Sequence, residues 1–192
     1  MRILDVGCGK GNPPRNAKIG APETVIGIDV DLESLALAKQ GYPQRHFLCG
    51  RAESLPFSDH SFDRVVSAVA IPYTNIPLAL MEVRRVLIPG GSLFMSVHNL
   101  RFTLKELCNS VPRPIPTLFR LYVIANGLIF HASGKMFRFA NGRIESFQTI
   151  RGLKLALERT GFVDIMVSRP DGKFVFEAKT IPSDDSTVAL AS

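Results

Sequence analysis

The residues best placed to bind a ligand are two aspartates and three glycines near the N-terminus. A short apolar run containing Asp5 leads into a turn with Gly7, Gly9 and Gly11, and a second apolar run ends at Asp29. A strand, a glycine-rich turn and a carboxylate about twenty residues on form the arrangement by which an open α/β sheet binds a nucleoside. Glycines let the backbone approach the ligand, and the carboxylate accepts hydrogen bonds from the ribose hydroxyls. The spacing therefore predicts a nucleoside site.

Asp5 and Asn12 discriminate between kinds of nucleoside. A carboxylate beside the turn would repel the pyrophosphate of a dinucleotide, which prefers unopposed amides at a helix N-terminus. The dinucleotide spacing G-x-G-x-x-G would also need a glycine where Asn12 stands. S-adenosylmethionine has no phosphate and carries an ammonium and a sulfonium, which a carboxylate attracts. The sequence favours this ligand over NAD, and a tight connection that binds nothing is the alternative for the turn alone.

Strands and helices are expected to alternate along the chain, which is typical of an α/β protein. Strands are predicted at 2–6, 24–29, 45–50, 62–69 and 91–97, and helices at 14–19, 32–40, 76–87 and 147–160. In the helix at 76–87, Leu78 and Met81 are expected on the buried apolar stripe. Two apolar runs at 163–167 and 174–178 flank an Asp-Gly pair, which predicts a hairpin.

The composition is that of a single folded domain. The chain has 192 residues, of which 46% are hydrophobic and 21% charged. Its three cysteines, Cys8, Cys49 and Cys108, form neither a disulfide framework nor a metal spacing, and Cys8 and Cys49 are interpreted as small buried residues. A reducing cytoplasmic setting is the simplest interpretation. No apolar run is expected to reach the length of a membrane span.

Five sequence blocks in order carry a family resemblance. They are I-L-D-V-G-C-G-K-G, V-I-G-I-D-V-D, G-R-A-E-S-L-P-F-S-D-H-S-F-D-R-V-V-S, E-V-R-R-V-L-I-P-G-G-S-L and L-A-L-E-R-T-G-F. The chain resembles a class I S-adenosylmethionine-dependent methyltransferase of the type-11 group, which includes the ubiquinone and menaquinone methyltransferases. The resemblance implies a Rossmann-like, doubly wound, mostly parallel seven-stranded sheet that ends in a C-terminal antiparallel hairpin.

The resemblance also implies a domain organisation. Residues 1–182 are expected to form a single methyltransferase domain, with 99–151 as a variable substrate lid and 183–192 as a flexible tail. Family members usually carry one or two helices before the first strand, whereas Met1 here lies one residue from it. Either the N-terminus is naturally shortened or the upstream part is missing, and in both cases the cofactor site is expected to be more open than usual.

A cofactor-binding set follows from the resemblance. Its members are Asp5, Gly7, Cys8, Gly9, Gly11, Asp29, Val30, Arg51, Ala52, Glu53 and Ala68. The glycines are expected under the methionine portion with Asp5 near its ammonium, Asp29 on the ribose and Val30 on the adenine face. Arg51 departs from the family, because an acidic residue usually accepts there from the adenine amino group. The Ala52 amide, or Glu53, is expected to contact the base instead.

Tyr73 and His98 are the candidate catalytic residues. Methyl transfer from a sulfonium needs alignment and exclusion of water, and a general base only if the acceptor must lose a proton. Both candidates follow predicted strands, at the sheet edge where open sheets hold ligands. A strand-end residue with no catalytic role is the alternative for each. His46, His60 and His131 lack partners at metal-ligand spacing, so no metal is expected.

The segment 99–151 differs in charge from the rest of the chain. It carries eight basic and two acidic residues, an excess equal to the net charge of +6 of the whole protein. Within it, 116–130 is strongly apolar, although Asn126 and Gly127 are expected to weaken a helix there. An apolar stretch among basic residues suggests a lid over an apolar, acidic or neutral substrate, or contact with a membrane surface or a partner. A buried helix with a solvated basic rim is the alternative.

These patterns favour a methyltransferase that uses S-adenosyl-L-methionine on a small or lipid-like molecule. A non-catalytic S-adenosylmethionine-binding protein with a regulatory or partner-dependent role is the alternative, and Arg51 favours it. A nicotinamide-dependent oxidoreductase is disfavoured by Asp5 and Asn12. Nucleic acid is an unlikely partner because no RNA-binding pattern accompanies the charge. The oligomeric state is left open.

Overall fold

One seven-stranded sheet organises the protein. The computed structural model describes residues 1–12, 24–97, 100–111, 113–170 and 173–183. The strands are β1 (Arg2–Val6), β2 (Thr24–Asp29), β3 (His46–Cys49), β4 (Phe62–Ala68), β5 (Leu87–Val97), β6 (Phe162–Ser168) and β7 (Phe174–Thr180). Their order is β3-β2-β1-β4-β5-β7-β6, and β7 is antiparallel to both β5 and β6. The predicted sheet and its C-terminal hairpin are confirmed.

Five α-helices accompany these strands in the described parts of the chain. They are α1 (Leu32–Gly41), α2 (Ile76–Val86), α3 (Leu100–Ser110), α4 (Pro114–Ser133) and α5 (Ile150–Arg159), with a 3₁₀ turn at Ile71–Tyr73. Asp31 caps α1 as an oxygen acceptor for the Glu33 amide, and Thr149 caps α5 in the same way at Gly152. The helix predicted at 14–19 and most of the tail at 183–192 lie outside the described residues.

The core lies mainly on one face of the sheet. Leu4 and Val6 of β1 point toward α2 and α5, which contribute Leu80, Val83 and Leu153 to the same buried cluster. Successive strand residues point to opposite faces, so Ile3 and Asp5 lie on the other side. There Ile3 packs in a smaller cluster with Val25, Val66, Phe94 and Val175. Because β1–β5 are parallel to one another, their carboxyl ends lie at the same edge of the sheet.

The end of α2 differs from the prediction. The helix stops at Val86, and β5 begins at Leu87 instead of at 91, so Pro89 to Gly91 belong to the strand. Thr180 of β7 donates to the Ile88 carbonyl at 2.7 Å, which gives this strand start a partner. Leu78 and Met81 were expected inside but are 46% and 59% exposed, because Ile76, Ala79, Leu80, Val83 and Val86 form the buried stripe.

Helix α4 runs through Asn126 and Gly127, which were expected to weaken a helix. Gly127 lies on its buried face, and a Cβ there would come within 2.3 Å of the Phe147 ring, so the position requires a small residue. Asn126 is also buried, and its side chain donates to the Glu145 carbonyl at 2.9 Å and accepts from the Phe137 amide at 2.9 Å. Tertiary packing thus outweighs the low helix propensity of both residues.

The expectation that no segment matches a membrane span in length is wrong. Helix α4 has 20 residues and a mean hydropathy of 1.3, so by length and composition alone it could cross a membrane. The same test is met by core helices of folded domains, and one face of α4 packs inside the protein through Phe119, Val123 and Phe130.

Candidate functional site

The glycine turn after β1 is fastened to the end of β2 by backbone hydrogen bonds. The amides of Gly7 and Cys8 both donate to the Ile28 carbonyl, at 2.8 and 3.2 Å, and the Gly11 amide donates to the Cys8 carbonyl at 2.9 Å. From outside the turn, Arg45 donates to the Gly11 carbonyl at 3.1 Å. The turn is therefore a defined, preorganised part of the sheet edge.

Gly7 is required where it stands. It has a φ of +73°, and a Cβ on it would lie 2.1 Å from the Cβ of Ala70, beyond the end of β4. The turn and the β4 end thus approach each other more closely than any side chain at position 7 allows. Val69, which lies between the end of β4 and Ala70, has a φ of 65°. This value is rare for a β-branched residue and marks backbone strain.

Asp29 connects the turn to the start of α1. Its Oδ2 accepts from the Gly9 amide at 2.8 Å, and its Oδ1 accepts from the Asp31 amide at 3.0 Å. A carboxylate offers about four lone-pair sites, so two remain for hydroxyl donors of a ligand. Asp29 also lines the central cavity. The geometry therefore fits a ribose with two free hydroxyls.

Asp5 is buried beneath the turn. Only 4% of it is exposed, and burial raises its pKa from 3.8 to about 7, with Arg45 opposing the rise and Asp29 adding to it. The group is thus poised between its neutral and charged forms near neutral pH. A cation bound close by would favour the charged form.

The cysteines fall into two environments. Cys8 is buried, and burial together with Asp5 and Asp29 raises the pKa of its thiol to about 12, so it is a poor nucleophile. Cys49 was expected to be buried but is exposed, because it ends the edge strand β3. No group of three or more metal-ligating side chains exists among the described residues.

Glu53 is the acidic group next to the unusual Arg51. Its Oε1 accepts from the Asn75 amide at 3.0 Å and lies 3.4 Å from an Arg51 guanidinium nitrogen. Glu53 therefore connects the segment after β3 to the start of α2. The Arg51 side chain remains 59% exposed beside the cavity, where it offers only donors.

A cavity of about 690 Å³ lies at the carboxyl ends of β1, β2 and β4. Eight of the predicted site residues line it: Gly7, Asp29, Val30, Arg51, Ala52, Glu53, Ala68 and Tyr73. Asp5 of β1 and Cys8, Gly9 and Gly11 of the turn are not part of this lining. His98 lies outside the described residues. The predicted set is thus largely brought together at one edge of the sheet.

The opposite wall of the cavity was not predicted from the sequence. It is formed by Asn141, Gly142, Arg143, Ile144 and Glu145, in the chain between α4 and α5. The Ser146 amide donates to the Pro72 carbonyl at 3.2 Å, which joins this wall to the 3₁₀ turn. The only sequence signal was the cluster of basic residues in 99–151, which did not single out Arg143.

Tyr73 stands where the two walls meet. It lines the cavity and is about half exposed, and burial is the main reason that its pKa is raised, with Glu145 adding to the effect. The phenol is therefore protonated at neutral pH and can donate a hydrogen bond. To act as a general base, Tyr73 would first have to give this proton to another group.

Comparison with known proteins shows what the chain is similar to. Residues 4–95 match the model of a methyltransferase domain. The resemblance to methyltransferases is confirmed over this range. The chain is 38% identical over 97 residues to a malonyl-[acyl-carrier protein] O-methyltransferase of Erwinia pyrifoliae, which covers 50% of this chain and 37% of that one. It is 29% identical over 170 residues to a demethylmenaquinone methyltransferase of Chlorobaculum parvum, covering 84% of this chain and 65% of that one.

The chain thus spans less than two thirds of the length of these curated relatives. Among solved structures, a SAM-dependent methyltransferase of Methanosarcina mazei is similar with a TM-score of 0.61 at 24% identity, and the match covers 94% of this chain and 92% of that one. The fold of the chain is therefore the Rossmann-like α/β fold that the sequence predicted.

Proposed function

We propose that the protein is an S-adenosyl-L-methionine-dependent methyltransferase that acts on a small or lipid-like molecule. The observation that carries this proposal is the Asp29 carboxylate. It is held by the Gly9 and Asp31 amides at the edge of the cavity and keeps acceptor capacity for two ribose hydroxyls. The methyltransferase domain match over residues 4–95 supports the same activity.

The proposed cofactor lies across the ends of β1 and β2. Asp29 binds the ribose, and the turn of Gly7, Gly9 and Gly11 lies under the methionine portion with Asp5 close to its ammonium. Val30 is 63% exposed beside the cavity, which supports its packing against the adenine face. The adenine edge is bound by the Ala52 amide and Glu53, while Arg51 cannot accept from the amino group.

When bound, the cofactor supplies a methyl group already activated by the sulfonium. This chain's residues then need to align the acceptor and exclude water. Ala68 and the strained Val69 form the cavity floor near the β4 end, and Tyr73 stands beside the proposed acceptor. Tyr73 donates a hydrogen bond that orients the acceptor. His98 remains a proposed catalytic residue at the end of β5.

A lipid-like acceptor is supported by the relatives and by α4. The relatives named above act, by their names, on malonyl-[acyl-carrier protein] and on demethylmenaquinone. The outward side of α4 carries exposed apolar residues without an interposed charge: Ile115, Leu118, Leu121, Ala125, Leu128 and Ile129. We call these residues the outer face of α4. We propose that 99–151 acts as a substrate lid through this helix.

The proposed partner of the outer face of α4 is an anionic lipid surface. Exposed basic residues lie in the parts of the chain that precede and follow α4: Arg101 and Lys105 on α3, Arg113 before α4, and Lys135 and Arg138 after it. Apolar burial combined with attraction to lipid phosphates is how interfacial helices bind membranes. The inner side of the same helix holds the cavity wall through Asn126, so the lipid surface and the cavity would be adjacent.

Vesicle sedimentation tests the lipid contact. Phosphatidylcholine vesicles containing phosphatidylserine should sediment the protein at low ionic strength, and added salt should release it. Changing Leu118, Leu121 and Leu128 to Ser should abolish the association. A control with Leu78 and Met81 changed to Ser removes equally exposed apolar residues from α2 and should still bind. If these vesicles do not bind the protein at low ionic strength, or if both variants behave alike, the proposal is wrong.

The enzymatic proposal is tested in two steps. Titration calorimetry should detect binding of S-adenosylhomocysteine and S-adenosylmethionine but not of NAD. Transfer of a radiolabelled methyl group to a panel of fatty thioesters and quinol acceptors should then be measurable. Cofactor binding without transfer to any acceptor would favour the non-catalytic alternative, and NAD binding alone would favour an oxidoreductase.

A further inference from the structure

The guanidinium group of Arg143 lies over an aromatic ring in the cavity wall. Its Cζ lies 4.2 Å from the centroid of the Phe119 ring, and its side chain is 59% exposed. Phe119 itself is buried and is held edge-on by Phe139, whose ring centroid is 5.2 Å away. Stacking on an aromatic ring leaves the N–H edge of an arginine free for a planar anion. Arg143 lines the cavity, so this edge is accessible to a ligand.

The neighbouring carboxylate does not satisfy Arg143. Glu145 receives a 2.7 Å hydrogen bond from Arg120, which also contacts Glu106 at 3.2 Å. Arg143 forms only a long ion pair with Glu145, at 3.9 Å, which is beyond hydrogen-bond distance. Within the described parts of the chain, no hydrogen bond is made by the Arg143 side chain. Two carboxylates are thus committed to Arg120, and Arg143 keeps its donors.

The backbone around Arg143 is fixed in advance. The Phe139 amide donates to the Arg143 carbonyl at 2.7 Å, and the Arg143 amide donates to the Asn141 side chain at 3.1 Å. Asn126 of α4 holds the Glu145 carbonyl two residues later. A preorganised guanidinium loses little conformational freedom when it binds an anion, so the affinity it adds is retained.

A second donor faces the same cavity. The Tyr73 hydroxyl has no hydrogen-bond partner among the described residues, and the 3.2 Å bond between Ser146 and Pro72 holds the two wall segments together. Because burial raises the pKa of Tyr73, its hydroxyl stays protonated and donates at neutral pH. An arginine fork and a phenol donor together match the oxygens of a carboxylate or a phosphate.

We propose that Arg143 and Tyr73 form an anion subsite that binds a carboxylate or phosphate group of the methyl acceptor. The proposal rests on the methyltransferase function proposed above, since it names the acceptor class for the same cavity. It adds that the acceptor is not only lipid-like but also acidic. Arg143 comes from the chain after α4 and not from the glycine turn, which separates this subsite from the residues proposed to hold the cofactor.

Calorimetry with matched probes tests the subsite. Octanoate and octanamide have the same chain and shape but differ in charge, and octyl phosphate tests the second anion. With S-adenosylhomocysteine present, wild-type protein should bind octanoate about tenfold or more tightly than octanamide. Arg143→Gln should remove this difference, and Tyr73→Phe should reduce it. Arg84→Gln, which removes an exposed charge on α2 outside the cavity lining, should leave it unchanged.

Three results would overturn the proposal. The first is equal affinity of wild-type protein for octanoate and octanamide. The second is an Arg143→Gln protein that melts like wild type and still binds octanoate more tightly than octanamide. Alternatively, Arg143→Gln loses affinity for S-adenosylhomocysteine but keeps it for methylthioadenosine, which lacks the carboxylate; Arg143 would then hold the cofactor's own carboxylate. Failure of the proposed methyltransferase function is a different result, because wild-type protein would then not bind S-adenosylhomocysteine. Octanoate is therefore also titrated without S-adenosylhomocysteine, so that the subsite is tested independently.

Discussion

The two walls of the cavity are built in different ways. The wall around Gly7 and Asp29 is fastened by short backbone hydrogen bonds at the ends of β1 and β2, and it falls within the matched range 4–95. The wall around Arg143 and Glu145 is held by side chains of α4, namely Asn126 and Arg120, and lies beyond that range. Backbone geometry suits a constant ligand, whereas side-chain contacts can change with the acceptor.

This contrast predicts that changes in the first wall alter cofactor affinity and changes in the second do not. The largest effect is expected for Gly7→Ala. A Cβ there overlaps Ala70 and strains the positive φ, so the turn or the β4 end must move. We expect about 3 kcal/mol of lost stabilisation, equivalent to about a hundredfold weaker binding of S-adenosylhomocysteine by calorimetry.

Gly9→Ala is the matched control for that change. Gly9 also has a positive φ, but a Cβ there meets nothing within 4 Å. Only the backbone cost of about 1–2 kcal/mol should therefore appear. If Gly7→Ala and Gly9→Ala weaken binding equally, the close approach to Ala70 has no role in shaping the site.

Asp29→Ala should have the next largest effect. It removes the proposed acceptor for the ribose hydroxyls, and hydrogen bonds to charged groups contribute about 1.5–3 kcal/mol. Affinity for S-adenosylhomocysteine should fall about tenfold or more, with the far-ultraviolet circular dichroism unchanged. Asp31→Ala, which removes a helix cap outside the cavity lining, should lower the melting temperature but leave affinity intact. A folded Asp29→Ala protein with wild-type affinity would place the ribose elsewhere.

Asp5 should make cofactor binding pH-dependent. With a pKa of about 7, it is mostly neutral at low pH and mostly ionised at high pH. If the ionised form attracts the ammonium of the ligand, affinity for S-adenosylhomocysteine should rise by about tenfold between about pH 6 and pH 8. Asp5→Asn should flatten this profile, and a slope that persists in this variant would assign the titration to another group.

The same group affects stability in the opposite direction. Its folded-state pKa lies above the usual 3.8, so the folded protein binds more protons than the unfolded chain between these values. Without ligand, the free energy of unfolding should therefore fall as pH rises from about 4 to about 7 and then level off. Denaturant titrations of Asp5→Asn should lack this part of the fall.

The smallest effect on cofactor affinity is expected from Gly127→Ala in α4. The added methyl overlaps the Phe147 ring, so the free energy of unfolding should fall by about 1–3 kcal/mol. Binding of S-adenosylhomocysteine should be unchanged. Leu128→Ala on the exposed side is the control and should barely alter the melting temperature. A large loss of cofactor affinity in Gly127→Ala would show that the two walls are not independent.

Sequence patterns predicted one wall far better than the other. Strand, glycine turn and Asp29 are close in sequence, so their spacing reports their geometry, and eight predicted residues line the cavity. Arg143 meets Phe119 only through the packing of α4, which no local pattern encodes. Asn126 and Gly127 were interpreted as helix-weakening because their partners, Glu145 and Phe147, lie almost twenty residues away.

The most direct test of the account is a crystal structure with S-adenosylhomocysteine. The account predicts that both ribose hydroxyls donate to Asp29, that the homocysteine lies over the glycine turn, and that its sulfur faces the space between Ala68 and Tyr73. Arg143 should remain stacked on Phe119 with its donors free of the cofactor. A ligand whose carboxylate is bound by Arg143, or whose ribose does not contact Asp29, would contradict the division of the cavity into two walls.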